Sequence, residues 1–343
     1  MPQTDQTPSQ GSVPVSVQAS IWHNELADAI RDPAELLDIL HLPHDQLPLA
    51  LAGASEFSCR VPRSFVARME KRNPHDPLLL QVLPVENELI IHPGFQTDPV
   101  GDLAAMPEPG LLHKYEGRVL LVMTGACGIH CRYCFRRHFP YTGANPAADQ
   151  WDSAIQYIGS DDSIHEVILS GGDPLTLSDS RLSTLAGKLA SIPHVHTLRI
   201  HTRLPIVVPS RVDDDLCAWL GRLDLKKVIV MHVNHANEID NDVKAAMQRL
   251  ANTGTILLNQ AVLLRNINDS VDAQVNLSHA LFDTDILPYY LHLLDKVQGA
   301  AHFEVDEQTA SRLMNELRGK LAGYLVPRLV RETTGTSGKQ PIR

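Results

Sequence analysis

The sequence predicts an α/β protein built on a parallel sheet, an open partial barrel of six strand–helix units behind a helical lead-in. Two observations carry that expectation. Short β-branched or apolar runs recur in order from residue 119 to residue 294, separated by segments with helical spacing. Their number is too small for a closed eight-stranded barrel.

The first twenty residues, MPQTDQTPSQGSVPVSVQAS, are polar and read as a disordered arm. They contain neither a basic n-region nor an apolar h-region, so no secretory signal is expected. Residues 21–110 read as a helical and irregular N-terminal domain. In IWHNELADAIRDPAELLDIL, Trp22, Leu26, Ile30, Leu36 and Leu37 fall on apolar helix faces, and Pro33 after Asp32 marks a second helix start. SFVARMEKR should be helical up to the Asn73-Pro74 breaker, and the proline-rich stretch 74–112 has no clear period. Residues 111–315 carry the barrel. Its expected strands are VLLVMT (119–124), EVILS (166–170), TLRIHT (197–202), KVIVMHV (227–233), TILLNQAVL (255–263) and LPYYLHLL (287–294). Helices are expected in WDSAIQYI, DSRLSTLAGKLASI, VDDDLCAWLGRL, ANEIDNDVKAAMQRLANT and DAQVNLSHALFD. Residues 316–343 form a C-terminal segment that should begin as a helix, ELRGKLAGYLV.

The formal charge of −10 argues against a general nucleic-acid binder. No apolar run reaches the ~20 residues of a membrane helix, and a cytoplasmic location is the expectation. Of the five cysteines, Cys59 and Cys217 are isolated and read as inert, semi-buried residues. The other three crowd into GACGIHCRYCFRR, directly after the first barrel strand, with C-x₃-C-x₂-C spacing. In a chain without an export signal, such clustering points to metal or catalysis rather than disulfides. Three thiolates on one loop can converge on one metal centre. Zinc frameworks use two separated ligand pairs, and no second C-x₂-C exists here. Cubane clusters normally take four thiolates, so Cys127, Cys131 and Cys134 would leave one iron open.

With Tyr133 before the third cysteine, the spacing resembles the signature of the radical S-adenosylmethionine (SAM) superfamily. That resemblance implies a [4Fe-4S] cluster that binds SAM and cleaves it to a 5′-deoxyadenosyl radical, on a partial (βα)₆ barrel. From about residue 74 onward the chain is similar to the lysine 2,3-aminomutase family. The match runs through DPVGD, GLLHKYEGRVLLVMTGACGIHCRYCFRR, VILSGGDPLTLSD, MHVNHANEI, LLNQAVLLRNIND, LPYYLHLLDKVQGAAHF and GYLVPRLVRETTGTSGKQP. The resemblance implies pyridoxal phosphate (PLP) as a third cofactor and the movement of the α-amino group of L-lysine to its β-carbon.

By the same resemblance Lys339, in TSGKQP, is the lysine that carries PLP. Read alone, a lysine so near the terminus would be an exposed tail residue. Arg118 and Lys114 match a region that contacts the PLP phosphate, and Tyr115 and His292 lie near its ring, His292 standing where the family has tyrosine. Ser170, Gly171, Gly172 and Asp173 resemble the SAM-amino contact, and His232 and Gln260 match further SAM contacts. Arg136 matches the arginine that pairs with the substrate carboxylate, for which a bidentate fork is suited. Asp295 and Glu332 match two acids that receive the lysine ε-ammonium, Glu332 being aspartate in the family members compared.

The longer family members carry a C-terminal, zinc-binding extension. This chain ends soon after Lys339 and has Ser270 where a zinc cysteine would fall, so no zinc site is expected. The short form resembles the bacterial branch that makes (R)-β-lysine for translation elongation factor P, which implies a reducing electron donor and the elongation factor P lysyl ligase as partners. The alternatives are a metabolic mutase making (S)-β-lysine and a non-catalytic Fe–S redox sensor.

Overall fold

The computed structural model describes residues 20–141, 151–336 and 338–342. The expected N-terminal arm, up to residue 19, lies outside the described residues. Among the described residues, nine strands form one sheet in sequential order: β1 (Leu111–Tyr115), β2 (Arg118–Val122), β3 (Glu166–Ser170), β4 (Thr197–Thr202), β5 (Lys226–Met231), β6 (Ile256–Val262), β7 (Ile286–His292), β8 (Arg328–Arg331) and β9 (Gln340–Pro341). Neighbours from β2 to β8 pair in parallel, while β1 and β9 add antiparallel edges. The sheet stays open. All six expected strands are present, and β3 and β4 match residue for residue.

The structure adds β8 as a further parallel strand and the two edge strands. Each is too short, or too close to proline, to show a period in sequence; pairing with a neighbour makes them strands. The expected C-terminal helix begins earlier, at Glu307, capped by Asp306, and ends at Lys320. SFVARMEKR is helical only over Arg63–Val66. Asp32 accepts from the Ala34 amide with Pro33 in the first turn, as the sequence indicates.

Ridge-forming leucines and valines of the helices pack onto the strands, and the lead-in is not separate from them. Trp22, Leu26, Leu36 and Phe65 belong to the same apolar cluster as Leu169, Ile200, Met231 and Leu329. Within β4 the burial alternates, sending Leu198 and Ile200 to that core. Arg199 and His201, on the other face, line a cavity. In β7 the register slips by one residue, since Asn259 pairs with Pro288 but Gln260 with Tyr290. The extra residue is Tyr289, so both Tyr289 and Tyr290 reach the cavity. Among the described residues, no helix is long and apolar enough to cross a membrane.

Candidate active site

The loop after β2 carries Cys127, Cys131 and Cys134, and backbone bonds pin it at both ends. The Met123 amide donates to Ser170 O (2.8 Å), Gly172 N to Thr124 O (2.6 Å) and Asp173 N to Ala126 O (2.7 Å). A Cβ on Gly172 would lie 2.2 Å from Ala126 O, and Gly171 sits at φ +118 against Thr124. The two glycines therefore admit the cysteine loop itself. On the far side, the His130 amide donates to Arg60 O and the Arg132 amide to Gln81 O.

Buried arginines hold the loop from behind. Arg132 donates to both Glu88 oxygens (2.8 and 2.6 Å), and Arg137 joins the same carboxylate (2.7 Å). Arg203 donates from Nη1 to Cys131 Sγ (2.8 Å) and to the Tyr133 hydroxyl (2.7 Å), and from Nη2 to Gln81 and Glu238. Of the arginines in CRYCFRR, Arg136 and Arg137 both line the cavity, but Arg137, like Arg132, is anchored on Glu88.

A cavity of about 470 Å³ is lined by the three cysteines, by Lys339, and by every other site residue that the sequence singles out. Burial and the Cys131 thiol push Cys134 up to about 11, and burial with Cys134 raises Cys127 as well. Thiols that oppose one another's ionisation in a buried loop form a donor set that a cationic cluster would relieve. Among the described residues, no three His, Cys, Asp or Glu converge to hold a single metal ion. A cubane asks for no such convergence, because each thiolate binds a different iron. The residues present fit a cluster.

Lys339 arrives through the β8–β9 hairpin. Arg331 pairs with Gln340, which sets Glu332 beside Lys339; the lysine Nζ donates to Glu332 Oε2 (3.0 Å) and lies 5.8 Å from the Tyr290 ring centre. Glu332 also accepts from Lys114 (3.1 Å). Burial opposes its charge, but Lys339 and Lys114 outweigh burial and hold it down at about 2. Asp295 behaves oppositely: burial and the charge of Glu332 raise it to about 7. Arg118 stacks over the Tyr115 ring at 4.7 Å. His292 Nε2 and His201 Nε2 are buried without a partner, and both rings line the cavity. Orphaned polar atoms in such a place fit a polar ligand such as PLP.

Several expected site residues are already engaged within the fold. Asp173 accepts four bonds, from Leu175 N and Thr202 Oγ1 at one oxygen and from Arg203 N and Leu204 N at the other. Its lone pairs are used within the fold, so a ligand would meet the neighbouring backbone rather than this carboxylate. Lys114 spends its three donors on Asp102 (2.5 Å), Glu332 and Val100 O (2.8 Å), leaving none for a phosphate in this arrangement. His232 Nε2 accepts from Gln260 (2.8 Å), joining the ends of β5 and β6. Arg136 donates from Nε to Asp102 (2.7 Å) and from Nη1 to Ser170 Oγ (3.1 Å).

Sequence reasoning missed Asp102, Arg199, His201, Arg203 and Tyr290 as site residues. The strand alternation of TLRIHT could have flagged Arg199 and His201, because polar residues two apart share a face. Asp102 lies in an irregular segment with no such signal. Ser270 caps the helix Val271–Phe282 by accepting from Ala273 N. Cys59 is a core residue, which burial raises to about 11, and Cys217 packs at the core's margin.

No family model matches the chain. Curated relatives do. L-lysine 2,3-aminomutase of Escherichia coli (strain K12) is 48% identical over 94% of this chain and 94% of that protein. The enzyme of the same name from Haemophilus influenzae is 46% identical over 95% and 96%. The chain belongs to the L-lysine 2,3-aminomutase family. Longer members of the family match less of their own length: that of Clostridium subterminale is 32% identical over 94% of this chain but 77% of its own. Among solved structures, native anSMEcpe with bound AdoMet overlaps 59% of this chain and 58% of that one at 11% identity and a TM-score of 0.45, too distant a likeness to argue from.

Proposed function

We propose that the protein is a cytoplasmic, radical SAM and PLP-dependent L-lysine 2,3-aminomutase, which moves the α-amino group of L-lysine to the β-carbon. The observation that carries this reading is that one cavity is lined by the three cysteines, Lys339, Arg136 and the acids Asp295 and Glu332. Bound cluster, SAM and PLP would supply the radical that breaks an unactivated C–H bond and the π-system that lets nitrogen migrate. The chain's own residues hold and orient.

Cys127, Cys131 and Cys134 would bind the cluster, and Lys339 would anchor PLP once its bond to Glu332 is released. Arg136 would take the substrate carboxylate in a two-pronged contact. Asp295 and Glu332 would face the ε-ammonium, selecting a cationic side chain and repelling an acidic one. His292 and His201 have unpartnered nitrogens to offer. A non-catalytic redox sensor would leave Lys339, Arg136 and the acid pair without a reason.

The near full-length match to the short relatives, against partial matches to the long ones, favours the branch that supplies (R)-β-lysine for elongation factor P. On that reading the partners are a one-electron reductant and the lysyl ligase. The protein would be reconstituted anaerobically with iron, sulfide and PLP, then given SAM, dithionite and L-lysine. (R)-β-lysine by chiral chromatography, absent in Cys131→Ala and Lys339→Ala, is the expected result. The S isomer would move the enzyme to metabolism. SAM cleavage with unchanged lysine would overturn the substrate, and no reaction in well-loaded protein would overturn the enzyme.

A further inference from the structure

Five alternating charges cross the cavity: Arg136, Asp102, Lys114, Glu332 and Lys339, linked in that order by contacts of 2.7, 2.5, 3.1 and 3.0 Å. Asp102 is the innermost carboxylate of the row, with its side chain 3% exposed. Each of its oxygens meets a different cation, Oδ2 the Arg136 Nε and Oδ1 the Lys114 ammonium. Neither cation leads back into the core: both line the cavity, as Asp102 does. Its own backbone is set by Asp98, which accepts from the Asp102 and Leu103 amides.

We infer that Asp102 is a positioning residue for the substrate site, holding the Arg136 guanidinium in place at Oδ2 while Oδ1 keeps Lys114. This rests on the aminomutase reading, in which Arg136 and Glu332 take opposite ends of the same lysine. An arginine fork gains its selectivity from a fixed plane, and a long side chain left free loses it. Asp102 and Ser170 occupy Nε and Nη1 and so fix that plane. Arg136 and Lys114 also outweigh burial and keep Asp102 charged.

The test compares wild type with Asp102→Asn, which keeps the shape and one acceptor, and with Asp102→Glu, each loaded anaerobically with iron, sulfide, PLP and SAM. Equilibrium binding of L-lysine and of 1,5-diaminopentane, which lacks the carboxylate, is measured without reductant so that nothing turns over. PLP content and melting temperature monitor the fold. In parallel, modification of Arg136 by phenylglyoxal is followed by peptide mass mapping. Asp102→Asn is expected to bind L-lysine about tenfold or more weakly, with 1,5-diaminopentane within about threefold of wild type. Arg136 should react faster in that variant. Wild-type values in Asp102→Asn, or equal losses for both ligands with PLP retained, would overturn the positioning role. If wild type itself ignores L-lysine, the substrate reading fails, and the Arg136 reactivity alone decides for or against Asp102.

Discussion

Asp295 and Glu332 face the same cavity, yet their neighbours drive them apart. Lys339 and Lys114 keep Glu332 at about 2 against its burial. Burial and the Glu332 charge lift Asp295 to about 7. An aspartate in an unfolded chain titrates near ~4. Between ~4 and about 7 the folded protein therefore holds a proton that the unfolded chain has released, and stability falls as pH rises through that window. Replacing Asp295 by asparagine removes this loss. The variant should melt a few degrees higher than wild type at pH 8 and no higher at pH 4. Scanning calorimetry of the cofactor-free protein at the two values checks it; equal gains at both would show that Asp295 is not raised. A carboxyl poised at about 7 also suits a site that gains a cation, because an incoming ammonium would favour the charged form.

The decisive element is the cysteine loop, whose placement depends on the turn after β3. Gly172 lets the backbones of residues 124–126 and 171–173 meet, and any side chain there would strike Ala126 O at 2.2 Å. Gly172→Ala should therefore shift the loop. Iron per chain after reconstitution is expected to fall by at least half, while far-ultraviolet circular dichroism stays close to wild type. Full iron loading would mean that the turn can adjust. The sequence reading matched these glycines to a SAM contact; in the structure they line the cavity and also admit the cysteine loop. Nothing in SGGD distinguishes a bound cofactor from a neighbouring loop, because both demand a missing Cβ.

At the scale of the molecule, the lead-in and the barrel meet at a buried charge cluster. Glu88 belongs to a short 3₁₀ turn (Glu86–Leu89) of the lead-in, and Arg132 and Arg137 belong to the cysteine loop. All three side chains are at most 1% exposed. Removing the charge from one partner leaves two buried guanidinium groups uncompensated, which typically costs about 3–5 kcal/mol. Glu88→Gln should lower the urea midpoint accordingly and reduce cluster loading with it. An unchanged midpoint would show that the clamp carries no energy. The arrangement gives the N-terminal segment a task that its composition does not announce: it is the back wall of the loop that would hold the cluster.

The sequence alone determined the alternation of strands and helices, the cysteine loop at a strand's carboxyl end, and the family. Those features rest on local signals: a period of two or of 3.6 residues, a capping aspartate, a fixed cysteine spacing. Lys339 beside Glu332 was half legible, since both lie in the matched C-terminal string, but their contact comes from the β8–β9 register. The tertiary structure decided the rest. Asp102 meets Arg136 across 34 residues and Lys114 meets Glu332 across 218. Arg203 reaches Cys131 from 72 residues away. Pairings at such separations leave no local pattern, because each side chain taken alone is an ordinary charge. Only burial, which strips away water and leaves each charge its partner, turns them into a site.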